Sequence, residues 1–366
     1  MRVGVVGCGK ISEVYFHNLT RSSEVEVVAC SDLVPERARA RADAFGVPKA
    51  CSNAELLADP DVGLVVNLTV PLAHAQITLG AIAAGKHVVS EKPLATTLGE
   101  ARRIRHEAGA RGVVVACAPD TFLGPGFQTS LAMLREGRLG EPLAASAFRL
   151  RRGPETWHAN PEIFYSPGAG PLLDVGVYYV THLVCMLGPV RRVSGMGRIL
   201  HPQLRPAEGP RAGDTIKVTT PTYIAGLLEF ASGAQALLLT SFGIADEELP
   251  HMRIYCTNGV LEVPDPNTFD GPVLWRGKGD DGWREQPLLF ATTRVRADSR
   301  GIGVIEAVRA IDAGRTPRAS LELAYHVLEV MLAVLESGET GRHVTIESTC
   351  EPPEPLPADA QLVATP

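Results

Sequence analysis

The chain has 366 residues, 45% hydrophobic and 21% charged, with a formal net charge of −6; that is room for two ordinary domains, each with a full core. The acidic balance, with no basic run longer than Arg102-Arg103 or Arg151-Arg152, argues against a nucleic-acid partner. No apolar run reaches about eighteen residues and no basic leader precedes the first strand, so the sequence points to a cytoplasmic protein that does not cross a membrane. The seven cysteines (8, 30, 51, 117, 185, 256 and 350) are odd in number and form no Cys-x-x-Cys pair. They indicate neither a disulfide framework nor a metal site and read as small buried hydrophobes.

The first predicted element is the apolar run Arg2–Val6, a buried strand. It breaks into Gly7-Cys8-Gly9-Lys10-Ile11-Ser12, after which a helix-compatible stretch begins. Strand, glycine turn and helix in that order make a phosphate cradle. Gly7 permits the tight turn, Gly9 lets a pyrophosphate approach bare backbone, and the helix N-terminus faces it with free N–H donors. Ser12 stands where a third glycine is usual and is small enough for close helix–strand packing. Cys8, Lys10 and Ile11 complete the cofactor turn. A second strand, Val25–Cys30, ends at Ser31-Asp32. An acidic side chain there can take both hydroxyls of an adenosine ribose and repels a 2′-phosphate, which favours NAD over NADP. Leu33 and Val34 offer no compensating cation, and Arg37 follows one turn into the predicted helix Pro35–Phe45. Asp32 also fits a cap of that helix, but beside the glycine turn the cofactor role is the favoured reading.

Further strands are predicted at Val62–Asn67, His87–Ser90 and Val113–Cys117, with helices between them such as Leu98–Ala110. This alternation predicts a doubly wound parallel sheet, a Rossmann domain over residues 1–122. Two blocks fall at strand carboxyl ends, where ligands bind in such sheets. One is Asn67-Leu68-Thr69-Val70-Pro71 with His74 beyond it; the other is Ser90-Glu91-Lys92-Pro93. Lys92 over a cofactor site is a candidate acid/base or electrostatic group, and burial acts to lower its pKa. Asp120, at the end of the last strand of this half, is placed in the same pocket.

A helix at Phe127–Arg138 opens the second half. Strands then follow without intervening helices, at Leu143–Arg151, Val190–Leu200, Thr215–Pro221, Tyr223–Phe230, Ala234–Phe242, Met252–Cys256, Val260–Val263 and Val273–Arg276. Hairpin turns fit Ser232-Gly233 and Thr257-Asn258-Gly259. An α+β domain over 123–350 with a large, mainly antiparallel open sheet is expected. Helices Ile302–Ala313 and Leu321–Glu336 close it before a Pro-rich tail, 351–366. Within this half, a glycine-rich loop leads to Asp174, Tyr178 and His182, spaced four apart on one helical stripe in apolar surroundings, which suggests a pocket. Trp157, His158, Asn160 and Tyr165 form a polar–aromatic loop suited to a sugar ring. The runs 226–230 and 236–239 are apolar on both sides, so a second subunit is expected on the open face, giving a homodimer or homotetramer.

Together these blocks resemble the Gfo/Idh/MocA family, named for glucose–fructose oxidoreductase, inositol dehydrogenase and a rhizopine-catabolism protein. The likeness spans nearly the whole chain, and Glu91-Lys92-Pro93 is its most specific part. It implies hydride transfer between NAD and a secondary hydroxyl of a sugar, sugar derivative or cyclitol. It places Lys92 beside the nicotinamide and the reacting carbinol, often with a cis bond to Pro93, with Asp174 orienting substrate and Tyr178 as acid/base. Tyr178 departs from the histidine of inositol dehydrogenases and matches the tyrosine of glucose–fructose oxidoreductase and dihydrodiol dehydrogenases; Thr181 stands where an aspartate is usual. Residues 117–124 and 156–162 look like one bacterial subgroup. A protonated Lys92 is expected to stabilise the Tyr178 phenolate, since a free phenol with pKa near 10 is a poor base at neutral pH. Two alternative readings share the fold: a redox-neutral NAD-dependent glycosidase and a non-catalytic NAD-binding regulator.

Overall fold

The computed structural model describes residues 1–244, 248–289 and 298–357. In the first half, short buried runs form β1 (Arg2–Val6), β2 (Glu26–Ser31), β3 (Lys49–Cys51), β4 (Leu64–Asn67), β5 (His87–Ser90) and β6 (Val115–Cys117). They pair in parallel in the order β3-β2-β1-β4-β5-β6. The helices between them are α1 (Ser12–Leu19), α2 (Pro35–Phe45), α3 (Asn53–Ala58), α4 (Pro71–Ala83) and α5 (Leu98–Arg111). Proline starts α2 and α4, where its missing N–H costs nothing, and Ser52/Glu55 and Thr97/Glu100 form capping boxes on α3 and α5. This is the Rossmann sheet expected from the sequence. The strand order reverses between β1 and β4, and that switch point opens a crevice at the carboxyl ends of the strands.

The second half begins with α6 (Pro125–Arg135) and β7 (Pro142–Leu150); a π-helical turn, Leu172–Gly176, runs into α7 (Val177–Leu187). Then come β8 (Val190–Arg198), β9 (Gln203–Leu204), β10 (Ile216–Lys217), β11 (Tyr223–Phe230), β12 (Gln235–Ser241), β13 (Met252–Cys256), β14 (Gly259–Val263), β15 (Val273–Gly277) and β16 (Arg284–Gln286). The chain continues through α8 (Ile302–Asp312), α9 (Leu321–Thr340) and β17 (Val344–Thr345). The large sheet has the order β16-β15-β14-β13-β7-β12-β11-β8-β17. It is antiparallel except where β7, wedged between β13 and β12, runs parallel to β12. The strand expected over Thr215–Pro221 shrinks to β10, which pairs with β9 in a separate ribbon. Pro202 and Pro221 bound that ribbon, and proline cannot donate to a longer ladder.

Helices α7 and α9 cover one face of this sheet: Val180, Leu183, Val330 and Val334 join Ala145, Ala147, Leu228 and Leu238 in one core. The other face leaves Met196, Leu227 and Leu237 at 77%, 59% and 41% exposure. Although it follows the second-half strands in the chain, α8 buries Val304, Ile305, Ala307 and Val308 against Val3, Val5 and Phe16 of the first half. The periodicity of α8 fixes an apolar face but not the sheet it meets. The tail is bound to its own chain as far as it is described: Arg318 donates to the carbonyls of Glu354 and Pro355, and the Leu356 N–H to Gln128 Oε1.

Candidate active site

The crevice at the switch point leads into a cavity of about 350 Å³ whose walls come from both halves. Ile11, Thr69, Pro71, His74, Glu91 and Lys92 line it from the first sheet; Arg149, Trp157, Asp174, Tyr178 and Arg300 line it from the second half.

The glycine turn forms the outer edge of this crevice. Gly7 has φ +101°, and a Cβ there would lie 2.7 Å from the Leu68 carbonyl carbon and oxygen. Its N–H donates to Ser31 O at 2.8 Å, and the Leu68 N–H donates to Val6 O at 2.8 Å, which knits β1 to its neighbours. Gly9 is different, because a Cβ there would meet nothing within 4 Å. Among the described residues, the N–H groups of Gly9, Lys10 and Ile11 have no acceptor. Open space above three free donors at the start of a helix fits the pyrophosphate of a dinucleotide.

Asp32 lies against this turn: its carboxylate accepts from the Cys8 N–H at 2.8 Å and from the Val34 N–H at 2.8 Å. The side chain thus shapes the end of β2 and braces the glycine turn. Leu33 is 89% exposed, and Arg37 is exposed on α2. Arg41, which the sequence did not single out, reaches back from α2 toward Gly9 O at 3.5 Å and pairs with Glu13 at 3.1 Å. From the other half, the Trp157 ring stands over Lys10 Nζ, 4.7 Å from it.

The inner end of the cavity holds the charged cluster. The Lys92–Pro93 peptide is cis, as the resemblance implied. Lys92 Nζ donates to the Asp174 carbonyl at 2.6 Å and to its carboxylate at 2.9 Å, and stands 5.3 Å from the centre of the Tyr178 ring. The π-helical turn carries Asp174, and such turns recur at functional sites. The sequence expected burial to lower the Lys92 pKa. Burial does act that way, but Asp174, Tyr178 and Glu91 outweigh it and hold the ammonium above its ordinary range. Lys92 is therefore a fixed positive charge. The Tyr178 phenol is pushed up by burial, and Lys92 and Arg300 pull it back down. The guanidinium of Arg300 is held by Asp298 at 2.7 Å and by the Asn267 side chain at 2.9 Å.

Neighbouring residues brace this cluster. Glu91 accepts from Tyr15 Oη at 2.8 Å and from the Lys92 N–H at 3.0 Å. The buried His74 ring bridges two loops, with Nδ1 2.7 Å from Pro93 O and Nε2 2.9 Å from Thr69 O; burial lowers its pKa. Asn67 is fully buried and bonds His74 O, Thr78 and Thr69, so it shapes the loop between β4 and α4 from beneath.

Five expected site residues lie elsewhere. Asp120 does not line the cavity; its carboxylate accepts the N–H groups of Gly301 at 2.9 Å and Gly303 at 3.0 Å. It anchors the start of α8 beside Arg300, and burial raises its pKa to about 6. His182 shares a helical face with Tyr178 but sits one turn deeper, edge-on to Phe127 at 4.5 Å. Its Nδ1 meets the Tyr178 carbonyl at 2.7 Å. Tyr165 is buried on Phe242, with its hydroxyl on Glu155. His158 and Asn160 are absent from the cavity wall: His158 Nδ1 takes the Asn160 N–H, and its ring packs on Trp157 and Phe164. Of that aromatic loop, Trp157 reaches the cavity. The sequence missed Arg149 and Arg300, which belong to no motif and come from distant segments.

Two family models match the chain. One, an oxidoreductase family with an NAD-binding Rossmann fold, covers residues 1–118; the other, the GFO/IDH/MocA C-terminal domain, covers 127–262. The chain is 28% identical over 355 residues to D-xylose 1-dehydrogenase (NADP(+)) 2 of Haloferax volcanii, spanning 95% of this chain and 100% of that protein. It is 29% identical over 349 residues to myo-inositol 2-dehydrogenase of Thermotoga maritima, spanning 95% and 99%. Among solved structures, levoglucosan dehydrogenase in complex with NADH and L-sorbose has the same fold, with a TM-score of 0.81 at 19% identity, over 95% of this chain and 99% of that one.

Proposed function

The chain belongs to the GFO/IDH/MocA oxidoreductase family, and from that membership we propose a dehydrogenase that prefers NAD and acts on a secondary hydroxyl of a sugar, sugar derivative or cyclitol. It is an NAD(P)-dependent oxidoreductase of CH–OH groups, as its full-length relatives are. The observation that carries the finer reading is one cavity joining the glycine turn's crevice to Lys92, Asp174 and Tyr178.

Bound NAD supplies the hydride acceptor, and NADH the donor in the reverse direction. The free N–H groups of Gly9, Lys10 and Ile11 hold the pyrophosphate, and Asp32 takes the adenosine ribose. Asp32 and the absence of a cation at positions 33 and 34 support the preference for NAD. In oxidation, the substrate hydroxyl gives its proton to Tyr178 Oη as its carbon loses hydride. Lys92 and Arg300, one on each source of positive charge at the ring, stabilise the phenolate that accepts the proton. Asp174 fixes Lys92 and presents its remaining carboxylate oxygen to a substrate hydroxyl. Trp157 offers its ring at the cavity wall to the face of a sugar or cyclitol. A second copy of the chain covers the open sheet face, a reading supported by exposed Met196, Leu227 and Leu237.

The test is NADH formation with a panel of aldoses and cyclitols, for the wild type and Tyr178→Phe. Turnover should fall about 100-fold or more in the variant, the size typical of a lost acid/base, while NADH binding measured by fluorescence persists. Unchanged turnover removes Tyr178 from the reaction.

A further inference from the structure

The cavity wall carries one more cation than the reaction uses. Lys92, Arg149 and Arg300 face it, against two carboxylates, Glu91 and Asp174. Lys92 is matched by Asp174, and Arg300 by Asp298 and Asn267. Among the described residues Arg149 is not matched: its Nε and Nη1 are sealed from solvent and have no hydrogen-bond partner there. It projects from the end of β7 on the same face as Ala145 and Ala147, toward α7 and the site. Thr240, its register partner on β12, also has a buried hydroxyl without a partner among the described residues. Asp265, an acid outside the cavity lining, is already engaged by Tyr179 Oη at 3.2 Å and the Asn267 N–H at 3.0 Å. His251, within reach of the same charges, is kept neutral by burial.

Arg149 as a whole is half-buried, but two of its guanidinium N–H-bearing nitrogens stripped of water and left without an acceptor are costly, and such groups are kept where a ligand completes them. Arginine's planar fork suits a carboxylate or phosphate, which it grips through two parallel N–H donors. A neutral sugar hydroxyl returns far less to a desolvated charge.

We infer that the substrate carries an oxyanion, held by Arg149 at the inner wall of the cavity, which sets the oxidised carbinol against Tyr178. This deepens the dehydrogenase reading and rests on it. A change in the terminal torsions of Arg149 turns Nε and Nη1 toward the ligand. Thr240 supplies a neutral donor behind it, and a singly charged anion such as a carboxylate brings the charge of the wall to zero.

The test uses the NADH-loaded protein and three matched ligands: D-glucose, D-gluconate and D-glucose 6-phosphate, by calorimetric titration. We expect at least one anionic ligand to bind tenfold or more tighter than the neutral sugar. The carboxylate and phosphate arms tell which oxyanion fits. In Arg149→Met that ratio should fall about tenfold, and Arg149→Lys should restore part of it. Equal affinity of all three ligands for the wild type overturns the inference without any variant. So does an anion preference that survives in a folded Arg149→Met protein. Because binding is read apart from turnover, an anion preference with no NADH formation from any acid would count against the dehydrogenase reading and leave the anion site standing.

Discussion

Lys92 Nζ is bound twice by one residue, at 2.6 Å to the Asp174 backbone carbonyl and at 2.9 Å to its carboxylate. The two residues come from different halves of the molecule, so the contact fixes the first sheet to the π-helical turn as well as fixing the charge. Asp174→Asn keeps an oxygen for Nζ but removes the negative charge that holds Lys92 protonated. We predict a fall in kcat of about 10- to 100-fold, roughly 1.4 to 2.8 kcal/mol of barrier, with NADH affinity changed less than threefold. Stopped-flow turnover and fluorescence titration separate the two effects. A variant that loses cofactor affinity and keeps kcat would show that the pair is only a clasp.

The raised Tyr178 phenol predicts an asymmetric pH dependence. Burial pushes it up, so the side chain is neutral at pH 7 and is ready to give a proton in the reductive direction. Oxidation needs the phenolate, a minor form at neutral pH, so its kcat should climb about tenfold per pH unit until Tyr178 titrates. Reduction should stay flat across neutral pH and fall only as the phenol ionises. Arg300 is one of the two cations that pull this pKa down, and Arg300→Gln should move the alkaline limb upward. A limb that stays in place in that variant assigns the titration to another group.

The parts of the molecule visible in the sequence are those in which local pattern decides the outcome. Arg2–Val6 and Pro35–Phe45 appear as expected because a mostly apolar β-branched run that breaks into a glycine turn, or a proline start with a single apolar stripe, leaves few alternatives. β3 stayed hidden because Lys49-Ala50-Cys51 is short and mostly exposed, with no alternation to read. Tyr178 and Asp174 were found because they share a short stretch with a glycine-rich lead-in. His182 was misplaced because equal spacing along a helix shows which face a residue is on, not how far along that face the cavity ends. Arg149 and Arg300 gave no local signal at all. Their importance lies in where β7 ends and where the chain re-enters before α8, and tertiary packing alone sets both.

The two glycines of the cofactor turn should separate folding from binding. A methyl on Gly7 meets the Leu68 carbonyl at 2.7 Å and forces a side chain onto φ +101°, so Gly7→Ala should cost about 2 kcal/mol or more of stability. At Gly9 the same methyl meets no protein atom within 4 Å. Gly9→Val should therefore melt within a few degrees of the wild type, about the effect of an ordinary surface change, yet bind NADH at least tenfold more weakly. Differential scanning fluorimetry and fluorescence titration on the same preparations read both quantities. Full affinity in a folded Gly9→Val protein would mean that the dinucleotide does not cross this turn.

His182 makes the acid side of stability testable. Its ring is buried against Phe127, and its pKa is lowered from 6.5 to about 4, first by desolvation and against the pull of the Tyr178 carbonyl. The unfolded chain takes up a proton near pH 6.5, whereas the native state resists until about pH 4. Across that window the unfolded state binds more protons, so the stability that His182 contributes at pH 7 drains away as the pH falls. At about pH 5 the loss should be about 2 kcal/mol, with the full effect about 3 kcal/mol. His182→Asn keeps a donor for the Tyr178 carbonyl and has no proton to gain. It should start less stable at pH 7 and lose less on acidification, so the two urea midpoints converge toward pH 5. His74, His251 and His326 are also held neutral by burial and titrate equally in both proteins, so they cancel in the difference. Parallel curves for the two proteins from pH 7 to pH 5 would show that the buried imidazole already carries its proton in the fold.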